Sequence, residues 1–147
     1  MSVATAPSVV GRDAFGVFDH DADIGIVGRG ATVEAAFVAA ATAMFDLECR
    51  VEGVAPLHRL QVAFDERDVE FALVAWLNAL LAGAHAQGLA LARFALAREG
   101  MHWRGSGWGE RWHGRLPRGV DVKGATLTML SVRAVDGQWE ARCVVDV

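Results

Sequence analysis

The run FALVAWLNALLAGAHAQGLALARFALA, residues 71–97, narrows the folds open to this chain more than any other stretch. It is apolar enough to raise the question of a membrane span of ~20 residues. Asn78, His85, Gln87 and Arg93 interrupt it, and much of it is alanine, which contributes little burial energy per residue. Gly88 divides it into a half with helical spacing and a half that reads as strand. The run is therefore expected to sit in a folded core, with no membrane contact. At 147 residues and 53% hydrophobic composition, the chain can bury such a core as one domain without disulfides or a structural metal.

The rest of the chain supplies the partners of that core. AFGVFDH (14–20) and DIGIVGRG (23–30) read as short strands, and Thr32 can cap a helix to about Leu47 with Glu34 in its first turn. Val33, Phe37, Ala40, Met44 and Leu47 form a stripe on that helix. Leu60, Val62 and Phe64 alternate as a strand, and Asp68 can cap a second helix through about Ala86. Its apolar side is Leu73, Trp76, Leu77, Leu80 and Leu81; Glu70, Asn78 and His85 share the opposite side. Strands are expected near 89–98, 101–106, 110–116, 122–135 and 138–146, with VDGQ at 135–138 the clearest hairpin signal. Two main helices with mostly antiparallel strands predict a two-layer α+β domain over 14–147, preceded by a flexible lead-in at 1–13.

A net charge of −4 argues against nonspecific nucleic-acid binding over the whole surface. Cys49 and Cys143 form no CxxC pair, which suits two buried thiols in a reducing cytoplasm, although one bridge between them stays open. The N-terminal MSVATAPSVV lacks the basic and apolar regions of a signal peptide, so a cytoplasmic protein is expected.

Candidate chemistry gathers in DHDADIG, residues 19–25, where Asp19, Asp21 and Asp23 alternate. An EF-hand needs Gly at the sixth and Glu at the twelfth loop position, and Ile24 and Gly30 stand there. In an extended segment, residues two apart share a side at roughly 6.5–7 Å, so the three carboxylates could edge one cation site, with His20 pointing away. Solvated loop carboxylates are the plainer alternative. A second acidic feature is VVDV, which sets Asp146 beside the terminal carboxylate of Val147.

Other motifs carry less. GIVGRGATVEAAF and GSGWGERWHG lack the third glycine of a dinucleotide-binding turn. Residues 103–123, WRGSGWGERWHGRLPRGVDVK, interleave three tryptophans with five basic residues, a composition that suits either single-stranded RNA or a protein interface. The five histidines show no HExxH, and no Ser, Cys or Thr stands in the context of a nucleophile.

In order, FDHDADIGI, GATVEAAFVAAATAMFDL, LVAWLNALL, SGWGE, VDVKGATL and VVDV resemble the archease family over residues 15 to 147. The resemblance implies a small metal-binding protein cofactor of the RtcB-type tRNA-splicing RNA ligase, one that promotes ligase guanylylation and repeated turnover without being an enzyme itself. It implies a cation site at Asp23, Asp146 and Val147, for Ca2+ with Mg2+ or Mn2+ as alternatives. Asp19 and Asp21 would then deepen the negative potential, and Lys123 would contact the partner or its nucleotide. RNA would be met only indirectly, through the ligase.

Three departures from the family pattern stand out: Asp21 where Thr is usual, Ala75 where an acidic residue precedes Trp-Leu, and Gly124 in place of Ala. None falls on an implied ligand, but Ala75 leaves open any partner contact made through that acidic position. Two other readings compete. One is a stand-alone metal-dependent phosphoryl-transfer enzyme using Asp19 and Asp23. The other is an RNA-binding or chaperone module using residues 103–123.

Overall fold

The computed structural model describes residues 10–20 and 23–147, so most of the expected lead-in lies outside the described residues. Along the chain run β1 (Phe15–His20), β2 (Asp23–Gly30), α1 (Val33–Glu48), β3 (His58–Asp65), α2 (Val69–Gln87), β4 (Leu89–Glu99), β5 (His102–Arg111), β6 (Gly124–Ala125), β7 (Ser131–Val135) and β8 (Gln138–Asp146). The strands pair antiparallel in two sheets. One has the order β1-β2-β8-β6, with β7 also on β8, and the other is β3-β5-β4. This is the α+β class expected.

Local chemistry fixes the helix ends. Thr32 Oγ1 accepts the Ala35 N–H at 3.1 Å, and Asp68 Oδ1 accepts those of Glu70 and Phe71. Each such cap contributes ~1 kcal/mol. Gly88 ends α2 in the left-handed region at φ 67°, where its N–H reaches the carbonyls of Ala84 and His85. Asp136 and Gly137 both have positive φ in the β7–β8 turn, matching the hairpin read from VDGQ.

The helix α2 is long and apolar enough to cross a membrane by length and composition. Here Leu73, Trp76, Leu77, Leu80 and Leu81 are buried in the main core. Its polar side is engaged too. Asn78 accepts the Ala125 N–H and donates to the Ala125 carbonyl, so one amide clamps β6. Burial on α1 extends well beyond the expected stripe, because this helix touches strands of both sheets. Trp76 donates its indole N–H to the Phe37 carbonyl at 3.0 Å, and the Trp103 ring stacks with Phe37 and Phe64.

Two expected strand boundaries are wrong. Segments 101–106 and 110–116 are one strand ending at Arg111, because the glycines of GSGWGE serve packing rather than turning. A Cβ on Gly105 would run into the Trp76 ring and stand 2.8 Å from the Ala95 carbonyl; one on Gly109 would collide with the Ala90 carbonyl. Segment 122–135 breaks in two, with Met129 at φ 53° between β6 and β7.

Candidate functional site

The acidic residues meet at one end of the larger sheet. β1 and β2 form a hairpin in which His20 pairs with Asp23. β2 lies against β8 with Ile24 opposite Val145, and one further step of that register brings Asp23 opposite Asp146. On the other side of β8, Gly124 pairs with Asp146, and Lys123 donates its N–H to the Asp146 carbonyl at 2.8 Å. Directly opposed residues of an antiparallel pair share a face with Cβ atoms ~5 Å apart. His20, Asp23 and Asp146 thus form a row across three strands.

Alternation explains why the row faces away from the core. Ile24 packs against the core and Val145 is fully buried, so their neighbours Asp23 and Asp146 take the other face. Asp146 is exposed and Asp23 half-buried. Among the described residues, neither carboxylate has a salt-bridge partner. Val147 packs its side chain against the core, which leaves its main chain beside Asp146.

The picture of three aspartates along one extended side needs correction. The chain reverses between His20 and Asp23, so Asp19 pairs with Ile24 and lies on the opposite face from Asp23. For the same reason His20 shares a face with Asp23 instead of pointing away. Its Nδ1 is buried with no hydrogen-bond partner among the described residues. Asp21 lies outside the described residues.

Residues 112–123 cross from β5 to β6 as a strap over the end of α1. The last carbonyls of that helix need donors, and the strap supplies them: Gly119 N–H to the Glu48 carbonyl at 2.8 Å and Val120 N–H to that of Leu47 at 2.7 Å. Val122 N–H reaches the Glu48 carboxylate at 3.1 Å. Lys123 follows, exposed, at the acidic sheet end. Glu48 escaped the sequence reading, which closes the helix at Leu47. One signal was available: a carboxylate in the last turn opposes the helix dipole and calls for a partner.

The tryptophan and arginine segment is built differently from an RNA platform. Trp103 is 1% and Trp108 6% exposed. Trp103 donates to the Glu66 carbonyl. Trp112 is half-buried, with the Arg118 guanidinium over its ring. Both cysteines are free and buried. Burial pushes the Cys143 thiol up to about 12 and raises Cys49 as well, with Glu110 and Asp46 adding to the latter. The Ala55 N–H, bonded to Glu110 at 2.7 Å, holds that carboxyl below its usual range, and His113 adds to the effect.

Over residues 15–147 the chain matches the Archease protein family (MTH1598/TM1083). It is 31% identical to the protein archease of Pyrococcus furiosus over 137 residues, covering 88% of this chain and 96% of the relative. The protein archease of Saccharolobus islandicus (strain M.14.25 / Kamchatka #1) is 28% identical over 137 residues, covering 91% of this chain and 99% of the relative. Among solved structures, Methanobacterium thermoautotrophicum protein 1598 is similar with a TM-score of 0.82 at 28% identity, covering 91% of this chain and 99% of that one. A Thermotoga maritima structure, described as an archease and possible chaperone, shares the fold with a TM-score of 0.61 at 18% identity, covering 88% of this chain and 94% of its own.

Proposed function

This chain belongs to the archease family, and from that premise we propose that it is a noncatalytic, metal-binding protein cofactor of an RtcB-type tRNA-splicing RNA ligase in the cytoplasm. In this role it promotes guanylylation and multiple turnover of the ligase. The observation that supports the reading is the strand register that sets Asp23 opposite Asp146, with Lys123 bonded to the same residue of β8.

Asp23 and Asp146 would hold the cation through carboxylates and Val147 through a main-chain oxygen. An all-oxygen donor set suits a hard ion, Ca2+ first and Mg2+ or Mn2+ after it. When bound, such an ion supplies positive charge that can neutralise a phosphate or order an acidic ligase loop. The chain's own residues set where that happens. The paired strands hold Asp23 and Asp146 together against their mutual repulsion, Asp19 and Asp21 add negative potential, and exposed Lys123 offers a donor to the partner or its nucleotide.

The test is multiple-turnover RNA ligation by the cognate ligase, with and without this chain and its Asp23→Asn and Asp146→Asn variants. Stimulation by the wild type and its loss in both variants is expected. Ligase turnover that is unchanged by the wild-type chain would refute the proposal.

A further inference from the structure

A second group of metal-ligand side chains lies where the strap crosses the ends of the two helices. Glu48 ends α1, His85 stands in the last turn of α2, and Asp121 belongs to the strap. One ligand atom from each lies within 4.8 Å of the other two. All three line a hollow of about 310 Å³, together with Trp112 and Arg118.

The decisive group is Glu48, only 6% exposed. Its Oε2 is engaged by His85 Nε2 at 2.8 Å and by the Val122 N–H at 3.1 Å. Its Oε1 is buried without a partner among the described residues. An unpaired buried carboxylate oxygen costs on the order of 1–3 kcal/mol or more, and the helix dipole makes this a poor place for a negative charge. Arg118 does not relieve it. That guanidinium sits 4.0 Å from the centre of the Trp112 ring and forms no ion pair with Glu48 or Asp121 among the described residues.

We propose that Glu48, His85 and Asp121 form a divalent-cation site for a first-row transition ion of the zinc class, built from residues other than Asp23 and Asp146. One imidazole with two carboxylates is a borderline donor set: the nitrogen favours zinc over calcium or magnesium, and three protein ligands leave a coordination position open. Binding would replace the hydrogen bond between His85 and Glu48 with two metal bonds. The His85 proton moves to Nδ1 or leaves to solvent, so that Nε2 presents its lone pair. The ion would give Glu48 Oε1 a partner and tie the strap to both helix ends.

The inference stands independently of the ligase proposal, and its test keeps the two apart. Zn2+ alone is titrated by calorimetry into the chelator-treated full chain, into His85→Asn and Asp121→Asn, and into the double variant Asp23→Asn/Asp146→Asn. Co2+ serves as a parallel probe, its visible absorption reporting a protein-held ion. The expected result is one Zn2+ bound by the wild type, at least tenfold weaker binding in His85→Asn and Asp121→Asn, and unchanged affinity in the double variant. His85 and Asp121 are both exposed, so these variants should melt like the metal-free wild type, which a thermal scan checks. Equal affinity in all four proteins, no binding to the wild type, or loss confined to the double variant would each overturn the inference; the last would leave the acidic row as the only metal site.

Discussion

Trp103 and the five residues of β5 from Gly105 to Gly109 are buried, whereas β8, the strand at the heart of the other sheet, runs from buried Cys143, Val144 and Val145 out to an exposed Asp146. Both strands are central, yet β5 is filled on both faces and β8 is open at its tip. The glycines of β5 let the Trp76 ring and the β4 backbone close in, so that strand has no room for chemistry. β8 is buried from Cys143 as far as Val145 and then delivers a carboxylate where its neighbours β2 and β6 bring Asp23 and Lys123. The smaller sheet is thus closed by packing and the larger one open at one end, and substitutions can test that division.

The largest effect is expected at Gly105. Gly105→Val places methyl groups against the Trp76 ring and the Ala95 carbonyl, at or beyond the upper end of the ~1–3 kcal/mol typical of overpacking. Urea denaturation should show a much lower midpoint; an unchanged midpoint would mean the β5 contacts are looser than described. Next comes Asn78→Ala, which strips both side-chain bonds from the backbone of Ala125. A loss of ~1–3 kcal/mol is expected, with faster hydrogen exchange at β6. Protection of β6 equal to wild type would show that β8 alone holds that edge.

A smaller, pH-dependent effect belongs to Glu110, on the rim of β5. Its carboxyl is held below the usual range, so its stabilising contribution is present above the ordinary carboxylate pKa and is lost as pH falls through the lowered folded value. Glu110→Gln should therefore melt below wild type near neutrality and converge with it in acid, once pH has fallen through the lowered folded pKa. A gap that persists in acid would assign the effect to packing. The smallest change in stability is expected for Asp23→Asn and Asp146→Asn: less than about 0.5 kcal/mol, or a slight gain, since each removes a charge from a like-charged pair. Ligase stimulation should nonetheless vanish. Unfolding of either variant would end the contrast between the sheets.

What could be read from the residues was local. Thr32 and Asp68 declare their helices through their own side-chain oxygens, and Asp136-Gly137 needs only its neighbours to make a turn. Misreadings came where distant segments decide. Gly105 and Gly109 resemble turn residues until Trp76 and Ala90 are seen against them. The side taken by Asp19 and His20 depends on where the chain reverses, since a shift of pairing flips faces. The pairing of β2 with β8 is invisible to periodicity, so the meeting of Asp23 and Asp146 could be reached beforehand only through resemblance. No local pattern announces Glu48, His85 and Asp121, which come from two helix ends and a strap.

The division also bears on the order in which the molecule comes together. β3, α2, β4 and β5 follow one another in the chain, so the strand pairings of the smaller sheet join segments close in sequence, within residues 58–111. The larger sheet must join β2 to β8, strands separated by on the order of a hundred residues, and such a loop loses entropy before its contacts can offset the loss. Pulse-labelled hydrogen exchange during refolding is expected to show β5 amides protected before those of β2 and β8. The end that holds Asp23 beside Asp146 would then arrive only with the final long-range closure. On the proposed role, a partly folded chain would carry no weakened version of it and would not compete for metal or partner.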